Sequence, residues 1–77
     1  MQIEFREESR LMVWTIRVDG VFVGLLVKRV LATYRREYEI HQWDNQSKGF
    51  TLFKVLTGVY DPNTNEKLLE AVKEMVS

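Results

Sequence analysis

The Asp19-Gly20 pair constrains the fold of this chain more than any other feature, because it separates two apolar-rich segments, residues 11–18 and 21–27. A two-residue type I′ turn requires positive φ at both central positions, which Asp tolerates and Gly adopts freely. The sequence therefore predicts a β-hairpin in which Val18 faces Val21, and we expect the same register to continue along both strands.

Side chains alternate between the two faces of a strand, so this register assigns each hairpin residue to one face. The first face is apolar throughout: Met12, Trp14, Ile16, Val18, Val21, Val23, Leu25 and Val27. The second face is mixed: Leu11, Val13, Thr15, Arg17, Phe22, Gly24, Leu26 and Lys28. We expect the first face to form the core, which leaves the second face for function.

Three more strands are predicted around this hairpin. Ile3 and Phe5 alternate with polar residues and indicate a first strand, with Phe5 opposite Met12, whose apolar side adds to the core face. Residues 50–60 follow a loop of turn-forming residues and are rich in β-branched and aromatic side chains, which predicts a strand there. That strand favours a second one over residues 34–43, before the loop, as the other arm of a second hairpin.

The second hairpin has its own predicted register and an alternative. Closing the loop with Trp43 opposite Phe50 places Glu39 opposite Lys54, which would be a favourable cross-strand charge pair. The alternative is a helix over residues 29–42 with fewer strands, because the apolar residues there also fit a helical period.

The carboxyl-terminal segment predicts an amphipathic helix. Asp61, followed by Pro62, or Asn63, with Glu66 three residues later, would cap its amino terminus. An apolar stripe then follows helical spacing and is expected to cover the sheet: Leu68, Leu69, Val72, Met75 and Val76.

We therefore predict one α+β domain over residues 1–77: a five-stranded antiparallel β-meander with one carboxyl-terminal helix packed on one face. The chain has no cysteine, which excludes a disulfide framework and thiolate chemistry, and its formal net charge is zero. The amino terminus lacks the order of a signal peptide and no apolar run is long enough to span a bilayer, so we expect a cytoplasmic protein without membrane association.

Candidate chemical sites are weak. Glu37, Glu39 and His41 alternate on one strand and could in principle bind a divalent metal, but no orienting partner is evident. Residues 61–66 imitate the start of a calcium loop, yet Glu66 stands where the loop needs Gly. No catalytic, cofactor-binding or metal residue is predicted, and a metal-dependent or other enzyme is the least favoured class.

The leading functional hypothesis is a small non-enzymatic interaction protein. One helix cannot cover both faces of a five-stranded sheet, and monomers seldom leave a large apolar patch exposed. We expect a homodimer, or binding to another protein, through an apolar and aromatic sheet face. Its expected contacts are Leu11, Val13, Phe22, Leu26, Trp43, Phe50, Leu52 and Leu56.

The alternative hypothesis is weak binding of nucleic acid. Lys28, Arg29, Arg35 and Arg36 form the basic cluster of the sequence, and aromatic residues lie near them. Cations for phosphates and aromatic rings for stacked bases are what such binding needs, although a neutral net charge is a poor footprint for it.

Overall fold

A computed structural model describes residues 1–10, 12–32, 35–57 and 65–77, with only the backbone described at residues 31, 32 and 35. The strands form one antiparallel sheet in the order β1-β2-β3-β4-β5. Their bounds are β1 Ile3–Ser9, β2 Val13–Val18, β3 Val21–Ala32, β4 Arg35–Asp44 and β5 Gly49–Thr57, and helix α1, Glu66–Val76, follows. The predicted meander with a carboxyl-terminal helix is confirmed, and the alternative helix over residues 29–42 is wrong.

The Asp19-Gly20 turn has the predicted geometry. Asp19 has a φ of 52° and Gly20 a φ of 83°, as a type I′ turn requires. Val18 pairs with Val21. The turn is also tied to the start of the chain, because the Gln2 amide donates to Oδ1 of Asp19 at 2.7 Å and the Asp19 amide donates to the Gln2 carbonyl at 2.8 Å.

A bulge at Val23 breaks the predicted register of this hairpin. Arg17 still pairs with Phe22, but the next pair is Ile16 with Gly24, so β3 has one extra residue. Such a bulge moves every later side chain of β3 to the opposite face. Leu26 therefore lies beside Trp14 in the core, and the prediction that it lies on the second face is wrong.

The same irregularity occurs in β5. His41 pairs with Leu52, but Ile40 pairs with Lys54, so Phe53 is the extra residue. The predicted pair of Glu39 with Lys54 is consequently wrong, because Lys54 now lies on the helix side of the sheet. There its Nζ contacts Oε2 of Glu74 in α1 at 2.9 Å.

The first strand pairs further along β2 than predicted. Phe5 lies opposite Ile16 rather than Met12, and Ile3 lies opposite Val18. The shift is an even number of residues, so the apolar side of β1 still faces the core, as the alternation predicted.

Helix α1 spans Glu66–Val76. Its cap is Asn65, whose side chain accepts hydrogen bonds from the backbone amides of Lys67 at 2.9 Å and Leu68 at 3.3 Å. The predicted caps Asp61 and Asn63 lie outside the described residues, as do Leu11, Tyr34 and Gly58. Among the described residues, no helix is both long and apolar enough to cross a membrane.

The core lies between α1 and one side of the sheet, the core face. It consists of Phe5, Trp14, Ile16, Val18, Leu26, Tyr38, Ile40, Leu68, Ala71, Val72 and Met75. The helix thus covers the side that carries Trp14 and Ile16. The opposite side of the sheet has no element of the described chain packed on it, and we call it the open face.

Candidate protein-interaction face

The open face is largely apolar. Strand alternation and the two bulges place on it Val13, Phe22, Leu25, Val27, Trp43, Phe50, Leu52 and Val55. Phe50, Leu52 and Val55 on β5 keep 45%, 50% and 42% of their surface accessible. The other members are half-buried by their neighbours on the same face.

An aromatic cluster forms one end of the open face. Trp43 and Phe50 face each other across β4 and β5, with ring centroids 4.9 Å apart. Phe22 on β3 completes the cluster, 6.1 Å from Trp43 and 6.2 Å from Phe50, the latter edge-to-face. These distances lie in the favourable range for aromatic pairs, so the rings stabilise one another.

Most of the predicted contact residues lie on this face, but not all of them. Val13, Phe22, Trp43, Phe50 and Leu52 are brought together there. Leu26 is fully buried in the core instead, and Leu56 packs against the core from β5. Leu11 lies outside the described residues. The sequence interpretation missed Leu25, Val27 and Val55, since the two bulges exchange the faces on which β3 and β5 residues lie.

A chain of polar contacts crosses the centre of the open face. Nη1 of Arg29 lies 3.1 Å from Oε2 of Glu39, and Nε2 of His41 lies 3.1 Å from Oε1 of the same carboxylate. The Glu39 side chain is only 15% exposed. The hydrogen bonds from Arg29 and, next, His41 lower the pKa of Glu39 below its usual value, although partial burial opposes this shift.

Glu39→Gln should flatten the dependence of stability on acidic pH. A carboxyl whose pKa is lower in the folded than in the unfolded state contributes stability above the unfolded pKa, which is 4.5 for a model Glu. That contribution is lost as pH falls through the folded pKa. Melting temperatures from about pH 6 to about pH 3 should therefore fall less for Glu39→Gln than for wild type. Glu70→Gln, at an exposed site on α1, is the control, and a Glu39→Gln curve parallel to wild type would contradict the prediction.

Two charges on the open face have no partner within the described chain. Arg17 has no ion pair, and its Nε is buried without a hydrogen bond. Glu4 lies directly opposite Arg17, but its carboxylate contacts Arg6 at 3.2 Å. Glu37 lies opposite Arg29, which contacts Glu39 instead.

The predicted basic cluster is divided by the sheet. Lys28 and Arg36 lie on the core face, because Lys28 pairs with the buried Tyr38 and Arg36 is two residues from Tyr38 along β4. Arg29 projects to the open face and is neutralised by Glu39. The Arg35 side chain lies outside the description. The described cations therefore do not form one continuous surface along which a phosphate backbone could run.

A groove of about 400 Å³ borders the aromatic cluster at the end of the sheet. Its lining includes Phe22 and Trp43 of the aromatic cluster, Val76 of α1, and Val21 and Asn45. None of the described side chains that line it is ionisable, so they supply no acid or base group for an active site. In the part of the chain that the structure describes, no group of three or more potential metal ligands is brought together.

An apolar sheet face has no sequence motif that would identify its function, so similarity of the whole chain to known proteins is the relevant comparison. No protein-family model matches the sequence, and neither a curated protein nor a solved structure shows significant similarity to the chain.

Proposed function

We propose that this protein is a non-enzymatic interaction domain that forms a homodimer through its open face. The observation that carries the proposal is the asymmetry of the sheet, whose core face is covered by α1 while its open face keeps an exposed apolar surface. In a monomer, Phe50, Leu52 and Val55 would remain in water. Their burial against a second copy would be favourable, at about 25 cal/mol for each Å² of apolar surface.

The size of the open face suits a stable dimer. Five strands spaced about 4.8 Å apart and about seven residues deep give a face of roughly 24 by 23 Å. Standard protein interfaces bury about 800 Å² on each partner, and an area of this size with projecting side chains can supply it. Two such faces packed together would form a β-sandwich with the helices outside.

The aromatic cluster supplies the expected centre of binding energy. Trp, Tyr and Arg dominate the energetics of protein interfaces, and rigid aromatic rings lose little conformational entropy on binding. Trp43 is held between Phe22 and Phe50 before any partner arrives. The polar row of Arg29, Glu39 and His41 is already satisfied within the chain, so it can be covered without leaving a charge unpaired.

Trp43→Glu and Leu52→Glu should each convert a dimer into a monomer. Both place a carboxylate in the proposed interface, and Leu52 is exposed enough for its replacement to leave the fold intact. Light scattering over a dilution series measures the effect. Val30→Glu is the matched control, since Val30 is 58% exposed but lies on the core side of β3, away from the open face. It should remain dimeric.

A wild-type protein that stays monomeric at high concentration would overturn the proposal. So would a dimer that Val30→Glu weakens as much as Leu52→Glu does, because its interface would then lie elsewhere.

A further inference from the structure

The unpaired charges of the open face lie at its opposite ends. Arg17 is on β2 beside Phe22, and Glu37 is on β4 beside Arg29. With about 3.3 Å per residue along a strand and about 4.8 Å between strands, their Cα atoms are roughly 22 Å apart. The region between them is apolar and is centred near Leu25, which pairs with Thr15 and His41.

This arrangement is self-complementary under two-fold symmetry. In a two-fold dimer each contact between one residue and another on the second copy occurs twice. A two-fold axis that lies in the interface, perpendicular to the line between Arg17 and Glu37 and through its midpoint, places each of these residues opposite the other on the second copy. On the basis of the proposed dimer, we propose that Arg17 of each copy binds Glu37 of the other. This contact fixes the register of the two open faces.

The state of Arg17 supports an external partner. Its Nε is already buried and makes no hydrogen bond, so part of the desolvation cost of binding is present in the free chain. A guanidinium group binds a carboxylate through parallel hydrogen bonds, which gives the contact direction as well as strength. The neighbouring Glu4 makes no ion pair with Arg17, and its Oε1 contacts Arg6.

The other carboxylates of the face make contacts within the chain. Glu39 is held by Arg29 and His41, and Arg6 by Glu4. Glu8 accepts a hydrogen bond from Oγ1 of Thr15 at 3.3 Å, so among the described residues of the open face Glu37 is the carboxylate without an ion pair or a hydrogen bond. A second copy satisfies both charges at once, whereas a partner with a uniformly charged surface would satisfy only one.

A charge-reversal experiment tests the pairing. Arg17→Glu alone would set two carboxylates against each other at both contacts, and Glu37→Arg alone would set two guanidinium groups against each other. We expect each variant to dimerise about tenfold or more weakly than wild type, measured by light scattering. In an equimolar mixture of the two variants, both contacts of the heterodimer join opposite charges. Native mass spectrometry should then show heterodimers well above the half expected from random pairing.

The outcomes separate this inference from the proposed function. A monomeric wild type overturns both. A dimeric wild type whose two variants dimerise normally, or whose mixture yields only the random share of heterodimer, overturns the Arg17–Glu37 contact and leaves the dimer standing.

Neutral variants keep the test decisive if a charge reversal impairs folding. Arg17→Gln and Glu37→Gln should each weaken the dimer, and the double variant should lose no more than the stronger single loss, since both remove one contact. Additive losses would overturn the pairing.

Discussion

Leu26→Ala should lower the free energy of unfolding by about 2–5 kcal/mol, because it removes a fully buried side chain from the centre of a close-packed core. Leu26 lies between Trp14 and Ile40 in neighbouring strands, so the cavity would open where β2, β3 and β4 meet the helix. Small domains have total stabilities of about 5–15 kcal/mol. A loss of this size would leave a substantial unfolded population, which urea denaturation measures directly.

Leu25→Ala, at the adjacent position, is the matched control for Leu26→Ala. Leu25 projects from the open face and is only half-buried, so the monomer should lose less than about 1.5 kcal/mol. Without the bulge at Val23 the two residues would exchange faces. A larger loss for Leu25 than for Leu26, measured at concentrations where the protein is monomeric, would therefore contradict the bulge as well as the prediction.

The Asp-Gly turn and the alternation of each strand were predictable from the sequence because both depend on local chemistry. The left-handed conformation at Asp19 and Gly20 is a preference of those two residues, and it sets Val18 opposite Val21 regardless of the rest of the fold. The face of β1 was predictable for a similar reason. A pairing error of an even number of residues leaves Phe5 on the same side.

The bulges were not predictable from alternation, since apolar residues occupy both faces of β3. The run from Val21 to Val27 reads as apolar in either register, so no polar residue marks which side faces the core. Packing against the helix determines which side of β3 faces the core, because the helix needs one continuous apolar surface. Ile16, Leu26 and Ile40 form that surface across three strands. The second bulge similarly allows Lys54 to reach Glu74 instead of remaining beside Glu39.

The existence of an apolar sheet face was predictable from the sequence, but the residues that form it were not. An apolar surplus beyond what one helix can cover follows from the sequence, and the aromatic cluster around Trp43 follows from the local loop closure with Phe50. The absence of an ion pair at Arg17 does not follow from the sequence. It depends on which cation contacts the Glu4 carboxylate, and side-chain geometry on the folded sheet determines this contact.

Gly24→Ala should destabilise the protein by about 2–4 kcal/mol, near the upper end for overpacked sites. A Cβ at residue 24 would meet the main-chain carbonyl oxygen of His41, with the carbonyl carbon at 3.2 Å and Cα of Gln42 at 3.4 Å. These are backbone atoms of the adjacent strand, so no side chain can rotate away. The strands themselves would have to separate at the bulge, and thermal or urea unfolding would report the loss.

Gly49→Ala isolates this steric effect from the general consequence of replacing glycine. The nearest atom to a Cβ there is Oγ of Ser47 at 3.9 Å, which is ordinary contact, so we expect a change within about 1 kcal/mol and of stabilising sign if the backbone fits. Equal losses at both positions would contradict the close approach of β3 and β4. A selective loss at Gly24 would instead identify glycine as the residue that lets β3 lie close to β4 beside the bulge at Val23. That bulge turns Leu26 into the core and Leu25 outward, so the same main-chain contact underlies the stability of the domain and the composition of its open face.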